Sequence, residues 1–137
     1  MIRSKEIKEI WQREEDHIKK TSGLSPSATK YHNTKVTYNG IKFDSKKEMQ
    51  RYKELELLES TDYICDLELQ KKFLLQEGYT NAKGKKKRPI YYIADFYYYD
   101  YIDNRWVVED TKGVRTDVYK LKKKLFEYKY NLTIDEL

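Results

Sequence analysis

Residues 89–101, PIYYIADFYYYDY, constrain this chain more than any other segment. The run is dominated by aromatic and β-branched side chains and contains no glycine. It reads as one long strand, because such side chains pack well on a pleated surface. Ile102-Asp103-Asn104 ends it, and Arg105–Asp110, RWVVED, reads as its hairpin partner. Lys112-Gly113 then ends that strand. One residue breaks the apolar pattern of the long strand: Asp95, in Ile90-Tyr91-Tyr92-Ile93-Ala94-Asp95-Phe96. A carboxylate in such a run costs free energy unless it is paired or binds a metal.

The rest of the chain supplies further elements. Residues 35–38 and 41–43 flank Asn39-Gly40, a hairpin signal because a type I′ turn needs positive φ at both central positions. A helix is expected over 46–59, with Ser45 and Glu48 as a capping box and Met49, Tyr52, Leu55 and Leu58 or Glu59 as its buried stripe. Residues 63–76 read as one strand through Ile64, Leu67, Leu69, Phe73 and Leu75, or as two with a bulge near Lys71–Lys72. Residues 78–89, GYTNAKGKKKRP, read as a basic loop. Thr116 or Asp117 caps a helix to Tyr130, with Val118, Leu121, Leu125, Phe126 and Tyr128 apolar. Residues 131–134 give a short last strand. Before all of these, residues 4–20 read as an amphipathic helix with Ile7, Ile10, Trp11 and Ile18, capped by Ser4 and followed by a Ser/Thr/Gly/Pro-rich linker. The expectation is an α/β chain: a helix and linker over 1–30, and a domain over 31–137 with a central mixed sheet flanked by helices.

Composition excludes several classes. Charged residues make up 37% of 137 residues and mean hydropathy is -0.97. No apolar run approaches the ~18 residues of a spanning helix, and the N-terminus lacks the apolar core of a secretion signal. A membrane protein is not expected; a cytoplasmic one is. Cys65 alone builds no disulfide framework or Cys-rich zinc site, and His17 and His32 are too few for a His-based centre. Cys65 is expected to be a small buried residue. The net charge of +5 is permissive of nucleic-acid binding. Aromatics at 15% argue against disorder.

Asp95 and Asp110-Thr111-Lys112 belong to hairpin-connected strands, so their side chains can converge at one sheet edge. By alternation Asp110 and Lys112 share a face and Glu109 takes the other. A bulge would exchange them, and Glu109 stays open as the alternative to Asp110. Two carboxylates and waters suit Mg²⁺, and a neighbouring lysine can hold a water poised to attack a phosphodiester. Glu48, in the first turn of its helix, is a third carboxylate; capping alone also explains it. Taken singly, each of these features is common in charged proteins. Their joint order, spacing and element type carry the reading.

That order resembles the PD-(D/E)xK, restriction-endonuclease-like nuclease superfamily, with Glu48, Asp95, Asp110 and Lys112 in the places of its motif. The runs YNGIKFDSKKEMQRYKELELLE, LELQKKFLL, YIADFYYYD and VVEDTKG are similar to a family of small phage and prophage proteins that resemble Holliday-junction-resolving endonucleases. The resemblance covers about residues 30–137. Ala94 stands where that superfamily commonly has proline. The resemblance implies a restriction-endonuclease-like core, Gln70 near the site, Mg²⁺ with Mn²⁺ as a substitute, branched DNA as substrate, a homodimer, and the cytoplasm of a bacterial host. Lys83, Lys85, Lys86, Lys87 and Arg88 on the loop, with Lys120, Lys122, Lys123 and Lys124 on the last helix, are candidate phosphate contacts. Tyr97-Tyr98-Tyr99 is expected to pack on the sheet; stacking on unpaired bases is the functional alternative. Two other readings stay open: a non-catalytic DNA- or protein-binding module, and a less selective nicking or end-processing nuclease.

Overall fold

The computed structural model describes residues 34–137 except Gly113. The expected helix over 4–20, its linker, His17, His32 and the Gly113 strand end lie outside the described residues.

The described residues open with the hairpin β1 (Val36–Tyr38) and β2 (Ile41–Phe43), in which Tyr38 pairs with Ile41. Asn39 and Gly40 both have positive φ, 49° and 76°, as the Asn-Gly turn requires. Helix α1 (Lys46–Ser60) follows, N-capped by Ser45, whose hydroxyl accepts from the Glu48 backbone N–H. Strand β3 (Ile64–Gln76), the short strands β4 (Tyr79–Thr80) and β5 (Lys86–Lys87), strand β6 (Ile90–Asp100) and strand β7 (Arg105–Asp110) come next. Helix α2 (Asp117–Tyr130) and strand β8 (Ile134–Glu136) complete the chain.

The central sheet has the order β3-β6-β7-β8; β3, β6 and β7 are antiparallel and β8 joins β7 in parallel. The result is a mixed α/β fold with a four-stranded mixed sheet and one helix on each face. Adjacent residues show the two faces. Val107 packs with Leu55 of α1, Phe96 and Tyr98; Val108 packs with Tyr119 and Phe126 of α2, Tyr92 and Ile134.

Several expectations need correction. Strand β3 is unbroken across Lys71 and Lys72, which pair regularly with Ala94 and Ile93; its register shifts lie between Cys65 and Glu68 and between Leu74 and Gln76. The last strand is 134–136, because Asn131 caps α2 in the left-handed conformation. The basic loop contains a small hairpin: Tyr79 pairs with Lys87 and Thr80 with Lys86, and the Asn81 side chain accepts from the backbones of Lys83 and Lys85. Cys65 is only half-buried. On α2, Tyr119 and Phe126 face the core, while Val118, Leu121, Leu125 and Tyr128 are exposed.

One irregularity bears on the site. Along β6, Tyr92 and Ala94 belong to the α2-side core, but Phe96 and Tyr98 belong to the α1-side core. Along β3, Phe73 lies on the α2 side, while Leu67 and Leu69 pack on the α1 side. The buried side of the two-stranded ribbon therefore changes at Gln70 and Asp95, between the pairs Leu69↔Phe96 and Lys71↔Ala94. Gln70 has φ 51°, a left-handed conformation that costs an ordinary residue about 1 kcal/mol or more.

Candidate functional site

Asp95 sits where the ribbon turns over, and three donors hold it. Its Oδ2 accepts from the Thr111 backbone N–H at 2.8 Å and the Thr111 hydroxyl at 2.7 Å, and its Oδ1 accepts from Gln70 Nε2 at 3.2 Å. Thr111 follows the last residue of β7, so these bonds tie the end of that strand to the middle of β6.

Gln70 Nε2 also donates to Glu48 Oε1 at 3.1 Å. Its side chain thus joins α1 to the sheet, between two carboxyls. The other Glu48 oxygen, Oε2, accepts from the Asp44 N–H at 3.3 Å. The capping role and the site-facing role coexist, one on each oxygen. The reciprocal bond of the box goes to the residue before the cap rather than to Ser45. Glu48 is buried, and burial together with the Asp95 carboxylate pushes it up to about 7.

Asp110 is fully buried at the end of β7. Its Oδ2 accepts from the Tyr92 hydroxyl at 2.8 Å. Its Oδ1 has no hydrogen-bond donor and faces Lys112 Nζ, an ion-pair contact of 3.2 Å. Burial, then repulsion from Asp95, raises Asp110 to about 6, against the opposing pull of Tyr92 and Lys112. Lys112 Nζ also lies 5.0 Å from the centre of the Tyr119 ring, a cation–π contact from the first turn of α2.

Glu109 points the other way. It is buried on the α1 side, where Arg51 Nε and Nη2 donate to its two oxygens at 2.9 and 2.6 Å and the Tyr98 hydroxyl donates at 2.6 Å. Asp110 is thus the one gathered with Asp95 and Lys112, while Glu109 anchors α1 to β7. The basic residues divide likewise. Lys83, Lys85, Lys86, Lys87 and Arg88 are all exposed on and around the β4–β5 hairpin. Lys120 is exposed, with Asp117 4.0 Å away, but Lys123 is ion-paired to Glu136. Tyr98 is buried; Tyr97 and Tyr99 are half-buried and pack against Trp106.

Among the described residues no three His, Cys, Asp or Glu side chains form a ready-made metal cage. The donor chemistry fits a sparser site. The Asp95 carboxylate raises the cost of ionising Asp110, and Asp110 Oδ1 is a buried oxygen with no hydrogen-bond donor. A hard divalent ion held by one or two carboxylates, with waters completing its shell, suits such a pair.

A family model described as a protein of unknown function, DUF1064, matches residues 28–135. The chain belongs to the DUF1064 family. The DUF1064 match takes in Glu48, Gln70, Asp95, Asp110 and Lys112, and the basic hairpin as well. No curated protein and no solved structure matches the DUF1064 chain.

Sequence reasoning missed Thr111, Tyr92, Tyr119 and Arg51. Thr111 is the middle residue of the D-x-K triplet, where the pattern ignores residue type. Tyr92 and Tyr119 read as ordinary core residues, and nothing local marks Arg51 as the partner of a strand 58 residues away.

Proposed function

We propose that this DUF1064 protein is a metal-dependent DNA endonuclease of the restriction-endonuclease-like kind, cutting branched DNA as Holliday-junction-resolving enzymes do. One observation carries the reading: the buried Asp110, short of one hydrogen-bond donor, lies beside Asp95 and 3.2 Å from the ammonium of Lys112. A binding module needs neither a buried Asp110 beside a second carboxylate nor a lysine held against it.

Asp95 and Asp110 would hold Mg²⁺, or Mn²⁺ in its place, with Glu48 reaching the site directly or through water. The ion, when bound, supplies a Lewis acid that stabilises charge developing on the phosphate. Lys112 holds the attacking water through Nζ, and the Tyr119 ring and Asp110 fix that amine from two sides. Thr111 and Gln70 fix the Asp95 carboxylate. Glu48, titrating near neutrality, takes up or gives back a proton as charge at the site changes. The cations of the β4–β5 hairpin grip phosphates without reading sequence. Resolving a four-way junction takes two symmetric cuts, so a homodimer follows from that substrate. The cytoplasm of a bacterial host is where such a phage-type enzyme would act.

The test is a substrate panel: labelled four-way junction, splayed duplex and linear duplex, each with Mg²⁺ or EDTA. Paired, Mg²⁺-dependent cuts in the junction support the proposal. Equal cutting of all three keeps the chemistry and removes the junction preference. Tight junction binding without cutting, in Mg²⁺ and Mn²⁺ alike, leaves a binding module.

A further inference from the structure

Helix α2 has two apolar faces, and among the described residues only one is packed against other elements. Tyr119 and Phe126 point into the core. Val118, Leu121, Leu125 and Tyr128, spaced three, four and three residues apart, form a second stripe on the opposite side. They are 64%, 60%, 41% and 92% exposed. Val114, just before the helix, is exposed as well. Exposed apolar side chains scattered singly need no explanation, but a contiguous row on one helix does.

From this row we infer that α2 is a docking surface for a partner protein that presents an amphipathic helix with acidic flanks. Spacing and charge give the argument. Alternating steps of three and four residues make a narrow coiled-coil seam, which one helix fills; a helix lying on lipid shows a broader apolar face. Lys122, Lys124 and Lys129 border the seam, with Asp117 on one margin, while Lys120 shares a face with Glu127. Lys122 and Lys124 have no acidic partner among the described residues. A second copy of α2 would bring these lysines against their equivalents, which is unfavourable. Carboxylates flanking a partner's apolar row would meet them instead. The inference rests on the exposure and charge of α2 alone and does not use the nuclease reading.

The probe is a synthetic 21-residue helical peptide with leucines at coiled-coil spacing and glutamates at the flanking positions. Its control carries lysines at those positions. Both are titrated into the full chain by calorimetry, alongside Leu121→Ser and Leu125→Ser, which alter exposed side chains; unchanged melting verifies their fold. The expected result is binding of the acidic peptide that weakens at least tenfold in either variant, weakens with added NaCl, and is at least tenfold stronger than binding of the control. No binding, or equal binding of both peptides, overturns the inference. So does a dimer in sedimentation that Leu121→Ser dissociates, which makes a second copy the occupant. Binding to phosphatidylglycerol vesicles that the same variant abolishes overturns it in favour of a membrane.

Discussion

Glu48 performs two tasks with two oxygens, and its setting has a measurable consequence. Its folded-state carboxyl is raised to about 7, and that of Asp110 to about 6. A carboxyl raised by folding favours the folded state when protonated. Its contribution is whole below the ordinary carboxylate range and disappears as pH rises through the folded value. The melting temperature is therefore expected to fall between pH 5 and pH 8. Glu48→Gln is expected to flatten that slope and to melt above wild type at pH 8. Mg²⁺ is expected to raise the melting temperature more at pH 8 than at pH 5.5, and Asp95→Asn removes that difference. A melting temperature that rises from pH 5 to 8 sinks this description of the site. Glu109 makes the contrasting case. Arg51→Ala leaves it buried without its partner, an expected loss of about 3–5 kcal/mol in urea unfolding. Arg51→Lys recovers only part, because a lysine cannot bridge both oxygens. At this scale Asp95, Asp110, Lys112 and Glu48 were legible from strand alternation and motif order, and Gln70 from the family resemblance alone. Alternation put Asp110 rather than Glu109 with Lys112, although a bulge would have exchanged them; what the sequence does not show is Arg51 reaching across from another element to hold Glu109.

Apolar patterning and turn signals located the described elements other than β4 and β5, with the last strand set at 131–134 instead of 134–136, but they did not say which face was core. On α2 the sequence carries two apolar stripes, and the more regular one is the exposed one. Packing chose Tyr119 and Phe126, whose rings fill the space over Tyr92 and Phe73. Unfolding experiments separate the two stripes. Phe126→Ala is expected to cost about 3–5 kcal/mol, whereas Leu121→Ser stays within about 0.5 kcal/mol of wild type. Equal losses would mean that the exposed stripe is covered within the folded chain. Thr116, whose hydroxyl accepts from the Tyr119 N–H, caps this helix, and Thr116→Ala is expected to cost about 1 kcal/mol. The switch of buried side at Gln70 and Asp95 was invisible to pattern reading. Leu67, Leu69, Phe73 and Leu75 keep odd positions on both sides of Gln70, and only the structure, through the two core clusters and the positive φ of Gln70, shows that the ribbon has turned over.

For the whole molecule, charge and topology set what the site can meet. The chain carries a net charge of +5, and five of its cations are gathered on and around the β4–β5 hairpin, which joins the two strands that supply Gln70 and Asp95. Replacing Lys85, Lys86 and Lys87 by alanine is expected to weaken binding to all DNA sequences alike and to lower the salt slope of log K by up to about 3. A sequence-selective loss would contradict a backbone-gripping role. The mixed sheet with helices on both faces follows from the order of elements, because two hairpins and two helices leave few arrangements that bury both apolar layers. The most direct measurement is cleavage of a labelled four-way junction by wild type, Asp95→Asn and Lys112→Ala in Mg²⁺, with junction affinity measured in parallel. The expected result is cutting by wild type and at least about 100-fold slower cutting by both variants at unchanged affinity. Variants that cut at the wild-type rate, or a wild type that binds the junction and never cuts it in Mg²⁺ or Mn²⁺, would contradict a nuclease centred on Asp95, Asp110 and Lys112.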